Sequence, residues 1–227
     1  ILENLKINMN LLEACIPNNK IRIINLGSSC IYPLNAENPI SEDDFMTGKL
    51  EPTNSPYAIA KITGIEIGRS INKQFGHNIL NLMPTNLYGP NDYFSPTDSH
   101  VIPGLMSRMH QSKLGGEEQF TVWGTGKPLR EFMFVDDLSS SIEFMIDKEW
   151  KNDLVNVGTN SEVSILELAN LIKSIIGYRG NIIFDNTKPD GNPRKLLNSD
   201  LIISMGWNPS VSLEKGLEIT YKWYLEN

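Results

Sequence analysis

The sequence predicts an α/β fold: a partial doubly wound parallel sheet followed by a smaller C-terminal α/β unit. Three observations predict it. Short β-branched runs alternate with helical apolar spacing along all 227 residues. The first run, Ile21 to Leu26, is short and β-branched and ends at Gly27, as suits a buried parallel strand running into a loop. A 40% hydrophobic composition supplies a sizeable core and argues against disorder. Strands that alternate with helices in this way require right-handed crossovers.

Ile1, Leu2, Leu5, Met9, Leu12 and Cys15 recur at helical spacing over residues 1–16, and Pro17-Asn18-Asn19 ends that pattern. Ile21 to Leu26 reads as a buried parallel strand running into a loop at Gly27. Asn54-Ser55-Pro56 supplies an N-cap and a first-turn proline for a long helix that Gly76 terminates. Asn78 to Met83 is the next strand, and Pro84 opens a polar loop. A helix at 99–112, strands at 119–123 and 131–135 and a helix at 136–147 are expected next. A strand at 154–157, a helix at 164–176, a strand at 181–185 and a final helix at 213–225 complete the order.

The net charge of −7 gives no general attraction for nucleic acid or an anionic membrane, so an anionic ligand must be held by a few local Arg and Lys side chains. No apolar run approaches membrane-spanning length and nothing resembles a signal peptide. The two cysteines, Cys15 and Cys30, read as free thiols of a reducing cytoplasm. The first residue is Ile rather than Met, so the chain is expected to be less than a full reading frame.

Chemistry concentrates in Gly27-Ser28-Ser29-Cys30-Ile31-Tyr32-Pro33 and Tyr57-Ala58-Ile59-Ala60-Lys61. Residues i and i+4 share a helix face, so Tyr57 and Lys61 present a phenol and an ammonium to one site. A nearby positive charge favours phenolate and is expected to lower the phenol's pKa towards the range of an acid–base catalyst. If strand geometry persists past Gly27, Ser28 and Cys30 point to one side and Ser29 to the other. Ser28 then reaches the oxygen that Tyr57 protonates. Spacing alone leaves two readings of Cys30, a small buried hydrophobe or a thiol that moves a proton beside a ketone. It also leaves two readings of His100, a residue at a helix start or a second proton-transfer group.

The strings SSCIYP, EPTNSPYAIAK, MPTNLYGPND, SHVIPGLMSR, VWGTGKPLREFMFVDDL, NVGT and FDNTKPDGNPRKLL resemble those of the GDP-L-fucose synthases. These are GDP-4-keto-6-deoxy-D-mannose epimerase/reductases of the extended short-chain dehydrogenase/reductase family, and the resemblance runs from residue 1 to 227. It implies an NADP(H)-dependent oxidoreductase and isomerase that epimerises C3 and C5 and reduces C4 of the keto sugar, with no metal. It implies that Ser28, Tyr57 and Lys61 are the catalytic triad and that Cys30 and His100 are the epimerisation pair. Leu26, Gly27, Ser28, Ser29, Tyr57, Lys61, Pro84, Thr85, Asn86, Leu87 and His100 fall on positions that resemble the cofactor site. Arg108, Trp123, Arg130 and Asp190 fall on nucleotide-sugar contacts, with Lys188 and Lys195 as further phosphate contacts. Guanidiniums suit a diphosphate, an indole suits a base or sugar face, and a carboxylate suits a hydroxyl. On spacing alone, Arg108 also reads as a solvated helix residue, Trp123 as strand core and Asp190 as a turn residue.

The departure from the family is at the N-terminus, where the Gly-x-x-Gly-x-x-Gly turn of a dinucleotide fold is missing. Gly124-Thr125-Gly126 follows a strand but leads to another strand, not to a helix that could receive pyrophosphate. The expectation is a chain lacking about the first quarter of a family member, inactive alone and binding NADPH weakly. Its strand at Ile21 to Leu26 is then left as an open sheet edge. Residues 1–98 are read as the distal part of an NADP-binding Rossmann domain. Residues 99–227 are read as mainly a GDP-sugar domain, with 131–147 returning to the Rossmann sheet. By resemblance the complete protein is a homodimer pairing through the helix at 56–75. Two alternatives stand beside this reading: a colitose-type GDP-sugar epimerase/reductase, and a nucleotide-sugar-binding pseudoenzyme without cofactor.

Overall fold

The computed structural model describes all 227 residues. In chain order its elements begin with α1 (Leu2–Cys15), β1 (Arg22–Leu26), α2 (Ser55–Phe75), β2 (Asn78–Pro84), β3 (Asn86–Tyr88), α3 (Val101–Leu114), β4 (Gln119–Trp123), β5 (Leu129–Arg130) and β6 (Phe132–Phe134). There follow α4 (Val135–Ile146), β7 (Leu154–Val157), β8 (Val163–Ser164), α5 (Ile165–Ile176), β9 (Asn181–Asp185), β10 (Arg194–Lys195), α6 (Asp200–Ser204) and α7 (Leu213–Glu226). The chain forms two units, the first from Ile1–Thr85, Ser139–Asn160 and Leu197–Asn208, the second from Asn86–Leu138, Ser161–Leu196 and Pro209–Asn227.

The first unit is built on a parallel sheet of order β1-β2-β7, with Leu26 opposite Leu82 and Pro84 opposite Val157. β2 lies between two neighbours and is buried from Ile79 to Pro84, which is why its run carries no polar alternation. Against the sheet, Leu12 of α1 and Ile71 of α2 pack with Ile23 and Ile79. A second cluster joins Ile65 of α2 to Ile31, Tyr32, Met83 and Leu154. Burying side chains of this size contributes about 1.5–3 kcal/mol each. The helix α2 ends as expected, with Gly76 in the left-handed region at φ 69°. Its start differs: the Asn54 side chain makes no cap hydrogen bond, and the Glu51 carboxylate instead accepts from the Asn54 backbone N–H at 2.8 Å. A carboxylate at this end also suits the helix dipole.

In the second unit β3 pairs in parallel with β6, β4 pairs in parallel with β9, and β10, β5 and β8 form a small sheet in that order. Met106 and Met109 of α3, Leu168 and Ile172 of α5, Phe120 and Val122 of β4 and Leu217 of α7 share its core. Ser164 and Glu167 form a capping box at the start of α5. Of the expected return of 131–147 to the first sheet, the strand does not join that sheet, whereas α4 from Ser139 onward belongs to the first unit. β6 pairs with β3, and the strand that joins β2 is β7, all four of whose residues are buried. A three-residue apolar run does not specify which sheet receives it, so the register had to come from tertiary pairing.

Candidate active site

In the first unit, the carboxyl ends of β1 and β2 carry two of the predicted segments. Gly27 donates its N–H to Leu82 O at 2.9 Å, and a Cβ on Gly27 would have to displace the flexible end of the Met83 side chain. Ser28 is extended (φ −163°, ψ 145°) and caps a single 3-10 turn over Ser29–Ile31, its Oγ accepting from the Cys30 N–H at 3.2 Å. This corrects the expectation of continued strand geometry, because the Ser28 side chain offers the Cys30 N–H a local partner in place of a ladder. Ser29 is buried, while Ser28 and Cys30 stay half-buried. The far end of the turn is pinned by Tyr32, whose hydroxyl donates to Asn156 Oδ1 at 2.6 Å. Asn156 is itself fully buried, donates to Ile40 O and Asn198 O at 3.0 and 3.1 Å, and gives its backbone N–H to Glu42 at 2.8 Å. Burial pushes the Glu42 carboxyl above its ordinary value.

Tyr57 lies in the first turn of α2 and is 39% exposed. The pKa of Tyr57 is raised, first by burial and then by the neighbouring Cys30, against a lowering effect of Ser28. The expected lowering by Lys61 is therefore corrected. The Lys61 Nζ lies 5.8 Å from the Tyr57 ring centroid and donates to Leu26 O at 2.8 Å, which ties the side chain to the end of β1. Burial pushes the Lys61 ammonium below the ordinary lysine value. Neither Cys15 nor Cys30 is in a disulfide.

These residues fit the nicotinamide end of a dinucleotide. Leu26 to Ser29 and Pro84-Thr85 follow adjacent parallel strands at their carboxyl ends, where open α/β sheets bind ligands, and Thr85 donates its N–H to Val157 O at 3.0 Å. An ammonium has three donors, and Lys61 gives one of them to Leu26. Gly124-Thr125-Gly126 is the turn between β4 and β5 in the second unit. Of the other predicted cofactor positions, Asn86 and Leu87 lie in β3 of the second unit. Asn86 Nδ2 donates to Glu131 O at 2.8 Å, and Leu87 is in register with Met133.

The second unit holds a cavity of about 220 Å³ whose lining includes His100, Arg108, Trp123, Arg130 and Asp190. All four predicted substrate residues thus meet in one place with the predicted histidine. His100 is exposed at the N-cap of α3, its side chain making no cap bond. Arg108, two turns of helix further on, donates to Gly104 O and Thr121 O, each at 3.3 Å, and its guanidinium lies 5.2 Å from the Trp123 ring centroid. Trp123 is 55% exposed at the end of β4, where the alternation of that strand turns it out of the core. Burial lowers the pKa of both Arg108 and Arg130, and Asp190 opposes that shift at Arg130. Both guanidiniums stay charged at neutral pH. Asp190 accepts from Thr125 N at 2.6 Å and Thr125 Oγ1 at 2.7 Å, and these bonds hold its carboxyl below the usual range. Lys188 Nζ lies 6.0 Å from the Trp123 ring, and Lys195 is in register with Arg130 across β10 and β5. Sequence reading missed Asn156 and Thr125, the polar residues that fix these two sites.

The model of the NAD dependent epimerase/dehydratase family matches residues 1–158. The chain is 49% identical over 224 residues to GDP-L-fucose synthase 1 of Arabidopsis thaliana, covering 99% of this chain and 69% of that protein. It is 44% identical over 236 residues to the GDP-L-fucose synthase of Escherichia coli K12, covering 100% of this chain and 74% of that one. A solved GDP-L-fucose synthetase from Naegleria fowleri bound to NADP matches with a TM-score of 0.92 at 29% identity, covering 100% of this chain and 73% of that one. With an α/β parallel-sheet fold, a family match over more than half its length and relatives identical at nearly half of all positions, the chain belongs to the NAD dependent epimerase/dehydratase family.

Proposed function

We propose that the chain carries the catalytic and GDP-sugar-binding residues for the NADPH-dependent conversion of GDP-4-keto-6-deoxy-D-mannose to GDP-L-fucose, with epimerisation at C3 and C5 and reduction at C4. The observation that carries this reading is identity at nearly half of the positions, along the whole chain, with proteins named for that product. When bound, NADPH supplies the hydride that reaches C4. Tyr57 gives its phenolic proton to O4, and Ser28 hydrogen-bonds the same oxygen, favouring negative charge there as it develops. The keto group acidifies the C3 and C5 protons. Cys30 and His100 are the pair that removes a proton at each carbon and returns one to the opposite face. Lys61, anchored on Leu26 O, uses its remaining donors for the nicotinamide ribose. The cofactor role is assigned to residues 26–29, 57, 61 and 84–85 of the first unit, and by resemblance to Asn86, Leu87 and His100.

In the second unit Arg108 and Arg130 hold the diphosphate, Trp123 a base or sugar face, and Asp190 a hydroxyl, with Lys188 and Lys195 adding charge. The colitose-type and cofactor-less readings are not favoured, because relatives named GDP-L-fucose synthase cover the whole chain at the higher identities. No helix is long and apolar enough to cross a membrane. A cytoplasmic homodimer pairing through α2 is proposed for the complete protein, supported by exposed Ile59 on α2 and exposed Ile7 and Leu11 on α1.

The test is NADPH oxidation coupled to formation of GDP-L-fucose from the keto sugar. It should be run on the 227 residues alone and on a chain extended by its upstream reading frame. Activity that appears in the extended chain and vanishes with Tyr57→Phe is the expected result. An extended chain that consumes the keto sugar without forming GDP-L-fucose sinks the proposal.

A further inference from the structure

The Gly124-Thr125-Gly126 turn carries no role in the chemistry above, yet it is tied to the pocket by two short hydrogen bonds to Asp190. Resting on the reading of the second-unit cavity as a nucleotide-sugar site, we propose that Thr125 is a positioning residue. It sets the Asp190 wall of the cavity, against Trp123 and Arg130, before a nucleoside diphosphate enters.

Asp190 lies 65 residues beyond Thr125 in sequence, in the loop between β9 and β10. Each of its carboxylate oxygens is bonded to Thr125, one by the backbone N–H at 2.6 Å and the other by Oγ1 at 2.7 Å. Such two-point contact fixes the orientation of the carboxylate plane as well as its position. The flanking glycines make the approach possible. Gly124 and Gly126 sit at φ 82° and 75°, and a Cβ on Gly124 would collide with the Asp190 carboxylate. Trp123 immediately precedes the turn, and Lys188, over the Trp123 ring, belongs to the same loop as Asp190. One threonine therefore ties the segment that presents the indole to the segment that presents the carboxylate and an ammonium. A carboxylate has about four acceptor positions, so the two that Thr125 takes leave others to receive donors from a ligand. Binding then requires no ordering of the loop at the moment of association, which is where affinity is ordinarily lost.

The test is a titration of the chain with GDP by calorimetry, comparing wild type with Thr125→Val and Thr125→Ser. Thr125→Val is expected to weaken GDP by about tenfold or more, as loss of a hydrogen bond to a charged group does. It is also expected to raise KM for the GDP-sugar by a similar factor with kcat unchanged, the signature of lost uniform binding. Thr125→Ser keeps the hydroxyl and is expected to bind GDP as wild type does. If Thr125→Val does not fold, Thr125→Ala removes the same hydroxyl without added bulk and carries the same expectation. Wild-type GDP affinity in the folded Val or Ala variant, with only a lowered melting temperature, overturns the inference and leaves the pocket reading standing. A wild-type chain that does not bind GDP overturns both.

Discussion

The two clusters of chemistry-bearing side chains are held in opposite ways. In the first unit Ser28, Cys30, Tyr57 and Lys61 are placed by the backbone that carries them: a strand end, one 3-10 turn and the first turns of α2. Tyr57 keeps a partly exposed phenol, so its proton can go to a ligand. In the second unit the charged side chains of the cavity are already engaged with protein, Asp190 with Thr125, Arg108 with two carbonyls and Arg130 with Leu129 O. Groups that must trade a proton keep that proton accessible, whereas groups that must only hold a ligand are fixed in advance. The difference teaches that affinity and turnover should break separately in this chain.

The largest break is Tyr57→Phe, which keeps the ring and removes the proton. Turnover of the extended chain should fall by about 10²–10⁴-fold with GDP affinity unchanged, and a variant that retains most of its turnover rules out the role of the phenol. Next is Cys30→Ser. Uptake of solvent deuterium at C3 and C5, followed by mass spectrometry or NMR, should slow by about 10²-fold or more, because a hydroxyl is a far weaker base than a thiolate. Exchange at the wild-type rate would falsify the thiol's part in epimerisation. Trp123→Ala should act on the other side of the comparison. It is expected to raise the Kd for GDP about tenfold or more, as loss of a stacking surface does, while deuterium exchange at saturating substrate persists. The smallest effect is a titration. Because burial raises the pKa of Tyr57, the phenol holds its proton throughout the neutral range and ionises only above the ordinary tyrosine value. A difference spectrum between wild type and Tyr57→Phe should therefore show the lost phenolate signal above that value. A signal below it would mean that Lys61 governs the phenol after all.

Most of the fold was legible because its long elements announce themselves. The largely apolar run of β2, broken by the buried Asn81, and the Pro56 and Gly76 punctuation of α2 are strong local signals. The strands β5, β8 and β10, each two residues long, were not legible, since two residues carry no periodicity. For the same reason the partner of Phe132–Phe134 could not be read. At the candidate sites the reacting residue types stood out, but their supports did not. Asn156 reaches Tyr32 across 124 residues and Asp190 reaches Thr125 across 65, separations at which one chain's sequence gives no pairing signal. The direction of the Tyr57 shift was misread because i,i+4 spacing gives a shared face and not where an ammonium points. Leu26 O takes Lys61, and burial then decides.

Each unit is assembled from three separate stretches, and the polypeptide passes from one unit to the other five times. Neither unit corresponds to a contiguous gene fragment. A cut in a loop between residues 86 and 208 would leave both halves holding pieces of both units, so limited proteolysis there should yield nicked but associated chains and not a liberated lobe. Swapping the second unit for that of another enzyme would take several splices where a tandem protein needs one. Specificity in such a chain is therefore easier to alter by point changes within loops than by exchanging modules.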